Sequence, residues 1–94
     1  MTTEDEFREK LEALHQFPCA YTFKLFGPPE ERFAEDALAI VEKHLPGTVV
    51  QQNSRASSSA KHRCLTLEFE VPSADAVIKL YADFHAVDGL KMLL

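Results

Sequence analysis

Tryptophan is absent, glycine occurs three times, cysteine twice, and no apolar stretch runs for more than a handful of residues. Each shortage excludes something. A helix that crosses a bilayer needs ~20 apolar residues in a row, so none is expected. The opening residues are polar and acidic, unlike a basic segment leading into an apolar one. Cys19 and Cys64, without a C-x-x-C pair, supply neither a disulfide framework nor a thiolate cluster, and the expectation is two reduced thiols in a cytoplasmic protein. Positive charge is also short. Ten Lys and Arg stand against 15 Asp and Glu, a net charge of -5, which argues against a nucleic acid or an anionic membrane as main partner. His15, His44, His62 and His85 are scattered without ligand spacing, so neither a metal nor a cofactor is expected.

What is present is pattern. Ninety-four residues suit one core, since a chain of this size buries roughly 60 to 65% of the surface it exposes when unfolded. The organising stretch is Phe17 to Gly27, entered through Pro18 and left through Gly27-Pro28-Pro29. Within it Tyr21, Phe23 and Leu25 alternate with Thr22, Lys24 and Phe26, the period of a strand with one covered face. Ahead of it, Phe7, Leu11 and Leu14 recur at helical spacing in a charged segment, which predicts a short amphipathic helix from about Glu4 to His15.

After the Gly-Pro-Pro break, Phe33, Ala37, Ile40, Val41 and Leu45 mark a helical stripe that stops at Pro46-Gly47. Thr48 to Gln52 reads as a short strand, and Asn53 to Arg63, with four serines and three basic residues, as a loop without an apolar anchor. Leu65, Leu67, Phe69 and Val71 then alternate with Cys64, Thr66, Glu68 and Glu70. Ser73 is placed to cap a helix carrying Val77, Leu80, Tyr81 and Phe84, and Leu90 to Leu94 follows as a last strand. The prediction is an α+β fold, residues 1–16 forming an N-terminal helix with its lead-in and residues 17–94 a ferredoxin-like βαββαβ domain. Its four strands should form an antiparallel sheet of order 4-1-3-2 with both helices on one face. The other face would show Thr22, Lys24, Phe26, Thr66, Glu68 and Leu93, an interaction face needing a cover: the N-terminal helix, a second copy or a ligand.

The segments FPCAYTFKLFG and LYADFHAVDGLKMLL, with the serine-rich loop leading into HRCLTLEF, resemble the YbeD-like family of small bacterial proteins. The resemblance spans about Leu11 to Leu94. It implies a fold similar to ACT regulatory domains and no catalytic residues.

Three functions follow in order. The first is a non-enzymatic regulatory domain that binds a partner protein or a small metabolite, with a homodimer among the expected assemblies. Its binding groups should lie where the first strand meets the next helix, at Gly27, Glu30 and Glu31, because a glycine lets a ligand approach backbone and a helix start offers unpaired amides. The two prolines and two glutamates there favour a neutral or amine-bearing ligand over an anion. The second is a weak nucleic-acid or nucleotide binder using the basic loop residues Arg55, Lys61, His62 and Arg63. An acylphosphatase-like enzyme ranks third. Arg32 has the right position for it, but Pro28 and Pro29 withhold the amide donors that a phosphate cradle needs.

Overall fold

The computed structural model describes residues 3–56 and 61–94. Its elements run α1 (Thr3–Leu14), β1 (Cys19–Gly27), α2 (Glu31–His44), β2 (Gln51–Ala56), β3 (Arg63–Val71), α3 (Ala74–Phe84) and β4 (Met92–Leu93). The strands form one antiparallel sheet of order β2-β3-β1-β4, which is the predicted 4-1-3-2 read from the other edge. β1 and β3 pair over their whole length, from Cys19 opposite Val71 to Gly27 opposite Arg63.

The core lies between the sheet and α2 and α3. Phe23 and Leu25 of β1, Leu65, Leu67, Phe69 and Val71 of β3, and Phe33, Ala37 and Val41 of α2 are buried with Val77, Leu80 and Phe84 of α3. Phe23 sits at its centre, its ring stacked on Phe69 at 5.4 Å and edge-on to Phe84 at 5.2 Å and Tyr81 at 4.9 Å. Such aromatic pairs contribute about 0.5–1.5 kcal/mol beyond the area they bury. The Tyr21 and Tyr81 hydroxyls share a hydrogen bond of 3.1 Å, and burial, reinforced by that bond, pushes the Tyr81 phenol above its ordinary range. Ser73 caps α3 as expected, its hydroxyl accepting the Ala76 N–H at 3.2 Å.

α1 lies on the helical side of the molecule. It buries Leu11, brings Phe7 within 5.7 Å of Tyr81, and ties Arg8 to Asp75 of α3 at 2.7 Å. It therefore does not cover the open face of the sheet.

Three sequence expectations change. The second strand is Gln51–Ala56, displaced toward the loop from the expected Thr48 to Gln52. All six of its residues are exposed; what makes the segment a strand is backbone pairing with β3, whereas Val49, within the expected span, lies outside the ladder and is 85% exposed. The last strand shrinks to Met92–Leu93, because Leu90 N–H turns back to the Val87 carbonyl at 3.2 Å. Leu93 also changes face. It pairs with Leu25, so it shares the helical side, and Met92, opposite Phe26, takes the place on the open face. Residues 57–60 of the serine-rich stretch lie outside the described residues.

Candidate functional site

A cleft of about 330 Å³ opens where β1 turns into α2 beside the β2–β3 hairpin. One wall is the turn itself, Pro28 to Glu31. The other comes from the hairpin. The ladder sets Ser54 opposite Leu65, and Arg63 opposite both Gly27 and Ala56, so these residues share the helical side and meet the turn. Gln52 lies on the same side, opposite Leu67. The floor is apolar, made by Phe33, Ala34 and Leu65.

The turn is held from two directions. A Cβ on Gly27 would clash directly with the Phe33 Cζ, so this residue is glycine to let that ring pack on the backbone. The space expected to admit a ligand at Gly27 is thus filled by Phe33, and a ligand has to sit beside that ring. From the far end of the chain Gly89, at φ +88°, presses on Pro28, where an added Cβ would lie 2.9 Å from the proline Cδ.

Amide donors are scarce here, as the sequence implied. Pro28 and Pro29 have none, and the Phe33 N–H goes to the Glu30 carbonyl at 3.1 Å. Glu30 caps α2 through its backbone only. Both glutamates suit the positive end of the helix dipole. Among the described residues neither Glu30 nor Glu31 forms an ion pair, and neither does Arg63. Two carboxylates on one wall thus stand near one guanidinium on the other. The sequence names Arg63 only within the basic loop and does not single out Ser54; the strand period carried backward from Leu65 places Arg63 on the covered side, beside the turn.

The basic cluster does not stay together. Arg55 pairs with Cys64 and lies on the open face, whereas Arg63 lies on the helical face. Lys61 is exposed, and His62 is half-buried. Arg32, the residue considered for phosphate chemistry, faces solvent and pairs loosely with Asp36 at 3.9 Å. Among the described residues no group of three or more His, Cys, Asp or Glu side chains converges to hold a metal ion, and both cysteines are free.

The open face is polar and sorted by charge. Toward one end lie Glu70, opposite Ala20, and Glu68, opposite Thr22, whose hydroxyl donates to the Glu68 carboxylate at 3.2 Å. Toward the other lie Lys24, opposite Thr66, and Phe26, opposite Cys64, with Arg55 and Met92 beside them. Met92 is 49% exposed. A third feature is an apolar groove of about 480 Å³ between α1, α3 and the edge of β4, lined by Phe7, Ile78, Tyr81 and Leu93.

A four-stranded antiparallel sheet backed by two helices, with charged side chains rather than a metal cluster at its turn, defines a small α+β domain of the ACT-like, ferredoxin-like kind. Solved structures agree. The chain is similar to protein HP0495 from H. pylori, with a TM-score of 0.72 and 12% identity over 85% of each chain. It is also similar to the ACT domain from the GTP pyrophosphokinase of Chlorobium tepidum, with a TM-score of 0.62 and 13% identity over 80% of this chain and 94% of that one. At these identities the likeness speaks for fold alone.

The chain belongs to the family described as protein of unknown function DUF493, whose model matches residues 12–94. Curated relatives are the UPF0250 proteins of Shewanella woodyi, 35% identical, and Shewanella loihica, 34% identical, each over 85 residues covering 90% of this chain and 96% of the relative. The family resemblance read from the strand and loop motifs is borne out. No helix among the described residues is long and apolar enough to cross a membrane.

Proposed function

We propose that this chain is a non-catalytic binding domain that takes a small amine-bearing ligand in the cleft between the β1–α2 turn and the β2–β3 hairpin. The observation that carries the reading is the set of charges without ion-pair partners among the described residues, Glu30 and Glu31 against Arg63, beside an apolar floor. Pockets of this size with few polar groups over an apolar base are the usual form of small-ligand sites. Two carboxylates outweigh one guanidinium, so an ammonium group is held by Glu30 and Glu31, while Arg63, Gln52 and Ser54 serve a hydrogen-bond acceptor elsewhere on the ligand. The fold's use as a domain of a GTP pyrophosphokinase supports a regulatory role by analogy. The separation of Arg55 from Arg63 takes support from the nucleic-acid reading, since the cations do not form one track for a phosphate backbone.

The test is a titration of the protein with amines, neutral amides, amino acids and inorganic phosphate, followed by amide NMR. Saturable shifts at Glu30, Glu31, Ser54 and Arg63 are expected with amine-bearing compounds, and Glu30→Gln with Glu31→Gln should weaken them at least about tenfold, the effect of losing a charge-assisted pair. Saturation by phosphate at these residues would invert the electrostatic argument. Silence of the whole panel would leave the cleft without a ligand of this class and sink the proposal.

A further inference from the structure

The open face of the sheet carries a second message, independent of the cleft. Side chains directly opposite on neighbouring strands stabilise a sheet when their charges are opposite. Here the charges are instead sorted by end. Glu68 and Glu70 occupy one end of the central strands, Lys24 and Arg55 the other, and none of the four makes an ion pair among the described residues. The apolar side chains are sorted too: Phe26 and Met92 lie at the basic end, and the small Ala20 at the acidic end.

We infer that this face is the contact surface for a second copy of the same chain, packed face to face about a two-fold axis that runs across the strands. Such an axis lays β1 over β1 and β3 over β3 with their ends exchanged, so every acidic row meets a basic row. Glu70 of each copy comes over the row of Arg55, Glu68 over the row of Lys24, and Phe26 over Ala20. An axis parallel to the strands would set each row over itself, the acidic row of Glu68 over the same row of the copy and the basic row of Lys24 likewise, and a like-charge contact of that kind is repulsive. The surface is complementary to itself in one orientation only, as a two-fold interface requires. Sheets pack about 10 Å apart, a gap that Lys and Arg side chains span. With about seven residues from each of the two central strands, six from β2 and two from β4, at ~3.3 Å per residue and about 4.8 Å between strands, the face covers roughly 350 Å² in plan on each copy, below the size of stable specific interfaces, which makes the dimer weak and reversible.

Sedimentation equilibrium across protein concentration tests this directly. The wild-type protein should double its mass with rising concentration, and raising salt from about 50 mM to about 500 mM should weaken the association about tenfold, because the pairs are rim-exposed and screened. Lys24→Glu with Arg55→Glu should be monomeric alone, as should Glu68→Lys with Glu70→Lys. An equimolar mixture of the two variants should form a heterodimer. Circular dichroism melts report whether each variant folds. Should either fail to fold, dilution of the wild-type protein followed by amide NMR reads the same surface, with shifts expected at Thr22, Lys24, Thr66 and Glu68. A wild-type protein that stays monomeric at about 1 mM, a dimer that survives either charge reversal, a mixture that does not associate, or dilution shifts confined to β4 or the groove beside α1 would each overturn the assignment.

Discussion

The two faces of the sheet use the same strands for opposite purposes. On the helical face Phe23, Leu25, Leu67 and Val71 are fully buried and interlock with rings from α2 and α3; on the other face Thr22, Lys24, Glu68 and Glu70 are exposed. Adjacent residues of one strand therefore differ in what they do. One set fixes the fold, where each buried methylene group is worth ~0.8 kcal/mol. The next set is free to carry charge because none of the described residues outside the sheet packs on it. The cleft sits at the boundary, with a floor from the first set and charged walls that have no such constraint.

Phe69→Ala should sharpen this contrast most. Its ring is 3% exposed and stacked on Phe23, and truncation at a buried phenylalanine costs about 3 to 5 kcal/mol. Urea unfolding measures it, and a loss below about 1 kcal/mol would mean that the core closes around the gap. Gly27→Ala comes next, at about 1 to 3 kcal/mol, because the methyl group enters the space of the Phe33 ring. Combining it with Phe33→Leu should recover much of that loss, and a double-mutant cycle with no coupling would show that the two residues do not meet. Glu68→Ala, the immediate sequence neighbour of Phe69, should stay within about 0.5 kcal/mol. A value near that of Phe69→Ala would break the comparison outright.

The smallest effect concerns acid. His44 Nε2 donates to Asp83 Oδ2 at 2.6 Å, and with Lys43 nearby this holds the Asp83 carboxyl below its ordinary value of 3.8. A carboxyl depressed in the folded state binds fewer protons there than in the unfolded chain. Its contribution is therefore complete above about pH 4 and is lost as the pH falls through the lowered folded value. Asp83→Asn should flatten the fall in urea midpoint below about pH 4. Equal slopes for the variant and the wild type would remove the clamp between α2 and α3 from the acid response.

What the sequence revealed follows the same division. Tyr21, Phe23 and Leu25, and again Leu65, Leu67, Phe69 and Val71, disclose their strands because burial on one side writes a period of two into the chain. From those strands and the two helical stripes, the sheet order followed by topology rules. Gln51 to Ala56 writes no such period, since an edge strand exposed on both faces places no demand on its side chains, and backbone pairing alone sets its limits. Leu93 lies on the face opposite to the expected one for a related reason. In a two-residue strand the face depends on register against β1, which a run of apolar residues at Leu90 to Leu94 does not encode. Glu30 and Glu31 were found from charge at a helix start, whereas Arg63 needed the hairpin folded against the turn before it joined them.

The two edges of the sheet bear on what happens when many copies meet. β2 presents six exposed residues without a large apolar side chain and with Arg55 among them, and β4 is only two residues long. Sheets grow into fibres by adding strands at long, flat, apolar edges. An edge that is polar and charged resists that growth, and one only two residues long gives an incoming strand almost nothing to pair with. The protein can thus be concentrated, or crowded by its own kind, with little tendency to extend its sheet from molecule to molecule.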